Sequence, residues 1–144
     1  MPLSASEVEK RLFLLALEVA LPWLRNESGR GNAIAKWHTE RVLELIGERN
    51  GRLSLADLGS ELGKATDHLG RLFARRTGTT LPRYSLCMRM TKAAALLRDP
   101  ERSVKEVAGS VGYADTRNFD RQFCRTLGIA PGGFRERFCR PGRP

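Results

Sequence analysis

The chain has 144 residues, 41% of them hydrophobic and 28% charged, which suits one compact domain or two very small ones whose core needs no staples. Its 14 glycines and 7 prolines are too few for a low-complexity or collagen-like chain. The formal net charge of +9 points toward a polyanionic partner.

Strand-type alternation of Val, Ile, Thr and Tyr is hard to find, whereas Leu, Ala, Arg and Glu recur at spacings of three and four, so an all-α fold is expected. Ser6 with Glu9 reads as a capping box that opens a first helix. Val8, Leu12, Leu15 and Val19 fall on one stripe of it, and Phe13, Leu17, Ala20 and Leu24 on a second. So apolar a helix has to pack on the rest of the chain, on another copy or on a further domain. Its longest apolar stretch, Leu12 to Leu17, falls far short of the roughly 20 residues that cross a bilayer. Lys10 and Arg11 make a weak basic start with no convincing cleavage site after it, so a cytoplasmic protein without membrane association is expected. Asn26 to Asn32 is polar and Gly-rich, a linker by composition. The expected division is therefore residues 1–32, a dimerisation helix or the remnant of a sensor domain, and residues 33–144.

A second helix is expected from Ala33 to Glu48, with Ile34, Trp37, Val42, Leu43 and Ile46 apolar, stopping at the turn signal Asn50-Gly51. From Ser54 the pattern becomes short helices separated by turns, and it repeats. Leu55-Ala-Asp-Leu-Gly-Ser-Glu-Leu-Gly63 returns as Val104-Lys-Glu-Val-Ala-Gly-Ser-Val-Gly112, an offset of 49, and His68 to Gly78 returns as Asn118 to Gly128, an offset of 50. Arg71 thereby pairs with Arg121, Phe73 with Phe123 and Gly78 with Gly128, while Pro82 and Tyr84 echo Pro131 and Phe134. Each copy reads as a helix of eight residues, a Gly-containing turn and a second helix of about eleven, the plan of a helix-turn-helix whose second helix enters a major groove. Leu69, Leu72 and Phe73 turn inward in the first copy, leaving Asp67, Gly70, Arg71 and Ala74 outward. In the second, Phe119 and Phe123 turn inward and Arg117, Asp120, Arg121 and Cys124 outward. Leu81 to Asp99 keeps Leu86, Met90, Ala93, Ala94 and Leu97 at helical spacing, a connector of 17 or 18 residues and about 27 Å. That length would let one chain present two helices to successive major-groove faces.

Placement of charge supports this plan. Residues 1–53 carry eight Lys/Arg against seven acids, and the remaining 91 carry 17 against 9, with arginine outnumbering lysine 20 to 5. Codon bias alone would account for the arginines but not for a central one at equivalent positions in both copies. The candidate DNA-contacting residues are Arg71 with Lys64, Thr66, Asp67 and Arg75 in the first copy, and Arg121 with Thr116, Arg117 and Arg125 in the second. Cys87, Cys124 and Cys139 form no CxxC, and His38 and His68 lie thirty residues apart, so neither zinc nor another cofactor is expected. No histidine has a nucleophile or carboxylate at a motif spacing and no phosphate loop occurs, which argues against an enzyme.

Ser103 to Pro131 resembles the signature of the C-terminal DNA-binding domain of AraC/XylS transcription regulators. Gly112-Tyr113 stands for the family's Gly-Phe, Phe119, Arg121 and Phe123 for its Phe-x-Arg-x-Phe, and Gly128-Ile-Ala-Pro131 for its closing Gly-x-x-Pro. Arg89 to Leu97 is similar to its connector, and the resemblance covers residues 38 to 138. It implies a seven-helix domain with two helix-turn-helix motifs that binds double-stranded promoter DNA and contacts RNA polymerase. The first motif departs from the pattern. Ala65 stands where Ser or Thr usually caps the recognition helix, Gly70 lies within that helix, and Asp67 is acidic on the DNA side. Self-association as a homodimer through residues 7–25 is expected from the apolar first helix. A helical protein-interaction module with a degenerate DNA site is the alternative.

Overall fold

The computed structural model describes residues 3–28, 41, 44, 45, 48, 49, 55–63 and 65–139. Every regular element among them is helical: α1 (Ala5–Ser28), α2 (Leu55–Leu62), α3 (Thr66–Thr77), α4 (Leu81–Leu97), α5 (Val104–Ser110), α6 (Thr116–Leu127) and α7 (Pro131–Phe138). Arg41, Glu44, Leu45 and Glu48 are helical as well, in keeping with the helix expected before Asn50. The rest of that helix, the boundary expected at residue 32, and Lys64 lie outside the described residues. The all-α expectation holds, with two helix-turn-helix motifs on either side of a connector, α4, of 17 residues.

The start of α1 differs from expectation. Ser4 and Glu7, rather than Ser6 and Glu9, close the capping box. The Ser4 backbone N–H donates to Glu7 Oε2 at 2.8 Å, and the Glu7 N–H donates to Ser4 Oγ at 3.3 Å. Both pairs have the same spacing, and the earlier start adds a further intrahelical bond, from the Val8 N–H to the Ser4 carbonyl. At its other end α1 continues through Asn26, Glu27 and Ser28, which composition assigned to a linker. Glu27 is a good helix former, Asn26 and Ser28 are mediocre ones, and none forbids helical dihedrals.

Contacts divide the chain into two compact units, one of Met1–Leu15 with Arg89–Pro144 and the other of Ala16–Met88. The core of the second is Leu45, Leu58, Leu69, Phe73, Leu81 and Tyr84, with Val19, Leu62 and Met88 packed against it. Phe73 and Tyr84 meet edge to face at 5.7 Å. In the first unit, Tyr113, Phe119, Phe123, Phe134 and Phe138 form a chain of rings with successive centroids at 5.6, 5.6, 5.6 and 4.6 Å. Contacts between aromatic rings in this range add to the area they bury. The Arg89 guanidinium lies 4.1 Å from the centre of the Tyr113 ring, and its Nε donates to the Val111 carbonyl at 2.7 Å.

α1 takes part in both units. Val8 and Leu15 are buried, the Leu3 N–H donates to the Gly128 carbonyl, and Arg137 Nη1 donates to the Leu3 carbonyl. In the other unit, the Glu18 carboxylate accepts from both Nε and Nη2 of Arg83 at 2.9 Å, and the Cys87 thiol donates to it at 3.0 Å. Phe13, Leu14 and Leu21 remain exposed.

Candidate nucleic-acid interface

In the first motif α2 and α3 are joined by Gly63, Lys64 and Ala65, and in the second α5 and α6 are joined by five residues, from Val111 to Asp115. Gly63 and Gly112, equivalent in the repeat, have φ of +64° and +95°. This left-handed region is open to glycine at little cost and lets the chain reverse sharply between helices. The second recognition helix is well begun, with Asp115 accepting from the Arg117 N–H at 2.9 Å. Ala65 begins the first with no side-chain cap, as the sequence implied. Ser103 and Glu106 form a full capping box at α5. Its Ser-x-x-Glu spacing is readable in the sequence.

The inward rows fall as expected. Leu69 and Phe73 on α3, and Phe119, Phe123 and Leu127 on α6, are at most 3% exposed. Leu72 is half-buried rather than in the core. On the opposite side of α3, Thr66, Asp67, Arg71 and Arg75 are exposed. On α6, Arg117, Arg121 and Arg125 are exposed and spaced by four, so they run in one row, with Thr116 half-buried at the helix start. Cys124 is exposed beside that row, while Asp120 is partly buried and its Oδ1 is shielded without a hydrogen-bond partner.

The arginines differ in whether they face a carboxylate. Arg41, Arg49, Arg83 and Arg102 each face one. Among the described residues, Arg71, Arg75, Arg117, Arg121 and Arg125 have no such partner, and Arg98, outside the two recognition helices, also faces none. Arg71 and Arg75 join His68 and Leu72 in lining a recess of about 270 Å³ on α3. In the sequence His68 stands as an unsuitable metal ligand and as the start of a repeated segment, not as a candidate contact. Its spacing of three and seven from Arg71 and Arg75 was the signal that it shares their flank.

The family model of a helix-turn-helix domain matches residues 58–137, more than half of the chain. The chain belongs to the AraC family of helix-turn-helix DNA-binding domains. This is a family of regulators, not of enzymes. The AraC-type chain is 28% identical over 135 residues to the Msm operon regulatory protein of Streptococcus mutans, covering 93% of this chain and 47% of that protein. It is 33% identical over 84 residues to the transcriptional activator RhaR of Mannheimia succiniciproducens, covering 58% and 30%. A DNA-binding transcriptional dual regulator from Escherichia coli K-12, of known crystal structure, superposes with a TM-score of 0.61 at 28% identity, covering 69% of this chain and 90% of that one. The chain therefore spans about half, or less, of the length of these curated relatives. Among the described residues, no helix is long and apolar enough to cross a membrane, and no group of three His, Cys, Asp or Glu side chains is placed to hold a metal ion.

Proposed function

We propose that the chain regulates transcription by binding a specific site on double-stranded promoter DNA, with α3 and α6 entering successive major grooves. What supports this is the pairing of Arg71 with Arg121. Each is exposed and, among the described residues, without a carboxylate partner, on a helix whose opposite row packs the core. A guanidinium so placed can donate two hydrogen bonds to guanine or to a phosphate. Arg117, Arg125 and Thr116 extend the contact along α6, and Thr66, Asp67, Arg75 and Lys64 along the first motif.

RNA polymerase and a second copy of the chain are the protein partners this function implies, and its place of work is the cytoplasm. Phe13, Leu14 and Leu21, left exposed within residues 7–25, are what self-association would cover. Sedimentation as a dimer at tens of micromolar is expected, and a monomer there overturns the homodimer. Selection of duplexes from a random-sequence pool tests the function itself and is expected to yield a defined site. If 6 to 10 phosphates are contacted, affinity for that site falls by about three to five decades between 50 and 200 mM salt. Failure to enrich any duplex, or partner binding indifferent to salt, would mean a protein-interaction module instead.

A further inference from the structure

Equivalent positions on α3 and α6 carry different chemistry. On α6 Arg117, Arg121 and Cys124 are exposed and Asp120 is partly buried, and their counterparts on α3 are Asp67, Arg71, Ala74 and Gly70. Reading a base edge takes a polar side chain long enough to reach into the groove. Gly70 and Ala74 have none, and Asp67 carries the same sign of charge as the backbone it would approach. Among the described side chains of α3, the nitrogen donors group together. His68, Arg71 and Arg75, at spacings of three and four, share one flank of the helix and line the recess of about 270 Å³ with Leu72 as its apolar wall.

A hollow is poorly shaped for base reading, because a base edge is flat and lies at the floor of the groove, where only a protruding side chain reaches it. A phosphate stands out from the duplex and accepts hydrogen bonds from several directions. Two guanidiniums and an imidazole around a hollow supply donors of that kind, and charge-assisted bonds to phosphate are the strong ones. Among the described residues, no carboxylate competes for Arg71 or Arg75.

We propose that His68, Arg71 and Arg75 form a socket for a backbone phosphodiester, so that α3 grips the duplex and the base preference of the site resides under α6. The socket rests on the DNA-binding function proposed above and deepens it by dividing the work between the two helices. Phosphate contacts position a protein on DNA and base contacts specify where it stops.

The test uses the full chain and a duplex selected from a random pool. Arg121→Ala first marks the half of the site under α6, as the base pairs where preference relaxes. Single mismatches in that half are expected to weaken the unaltered chain by about 5-fold to 150-fold each. Base changes in the other half are expected to cost less than about twofold, as for contacts that carry no sequence information. Arg75→Gln and His68→Gln lower affinity equally for all sequences, and Arg75→Gln lessens the slope of log K against log salt by about 0.9, the value of one phosphate. Both residues are exposed, so the melting temperature stays that of the parent. A changed base preference in either variant, or an unchanged salt slope in Arg75→Gln, overturns the socket and leaves DNA binding standing. A chain that selects no duplex overturns DNA binding and the socket together. Free orthophosphate offers the same chemistry. Competition by orthophosphate beyond that of chloride at equal ionic strength, abolished by Arg75→Gln, would assign the recess to a small phosphate monoester and overturn the backbone assignment.

Discussion

Cys87 and Cys124 are chemically alike in the sequence and opposite in the fold. Burial, with the Glu18 carboxylate beside it, pushes the Cys87 thiol up to about 12, so at neutral pH it is protonated and unreactive. Cys124 is exposed on α6 next to the arginine row. A thiol-alkylating reagent is therefore expected to modify Cys124 in the native chain and Cys87 only on unfolding. A bound duplex should slow the reaction at Cys124, and an unaltered rate would mean that α6 does not face DNA. Arg121→Ala should weaken binding to the selected site by about 1 to 3 kcal/mol and relax preference locally, the discrimination of one bidentate arginine contact. Gel-shift titrations on matched and mismatched duplexes measure both. At Gly128 two constraints coincide, a φ of +77° and the Leu3 side chain lying where a Cβ would project. The repeat flagged this glycine as a helix end, but the contact with Leu3, 125 positions earlier in the chain, has no local signature.

Among the elements, α6 depends most on its rings. Phe123 is fully buried with Phe119 and Phe134 each at 5.6 Å, so Phe123→Ala should cost about 3 to 5 kcal/mol in stability. Urea denaturation measures it, and a loss under about 1 kcal/mol would contradict a rigid aromatic core. α1 is held to α4 by the clasp of Glu18, Arg83 and Cys87. The Arg83 guanidinium, outweighing the cost of burial, holds the Glu18 carboxyl below its ordinary 4.5. A depressed folded-state value means the clasp contributes fully above the ordinary glutamate range and fades as pH falls through the lower value. Because both side chains are more than a third exposed, solvent screening limits the contribution to about 0.2 to 1 kcal/mol. Glu18→Gln should lower the melting point slightly at pH 7, and the gap from the parent should close on acidification. A gap that persists in acid would assign the effect to packing.

At the scale of the whole molecule, α1 contributes residues to each of the two units. Deleting residues 1–28 removes Val8 and Leu15 from one unit, and Glu18 and Val19 from the other. Hydrogen exchange of the truncated chain is expected to speed up in both units, since each loses buried apolar contacts worth about 1.5 to 3 kcal/mol per side chain. Protection equal to the parent's would show that α2 to α7 stand by themselves, as expected from a linker after residue 25.

The sequence by itself determined the helical class, the duplication, the inward rows of both recognition helices, the connector and the family. Each follows from periodicity or from spacing within some thirty residues, and such short-range patterns survive in one dimension. The tertiary structure alone decided where α1 rests, which of two equivalent Ser-x-x-Glu pairs caps it, and which arginines are spent on carboxylates. It also gathered His68, Arg71 and Arg75 around a hollow. Leu45 shows the same limit. It is 2% exposed in the core and is absent from the apolar positions that periodicity picks out in its helix. Which side of a helix is buried depends on what packs against it, and those partners, α1 among them, come from distant parts of the chain.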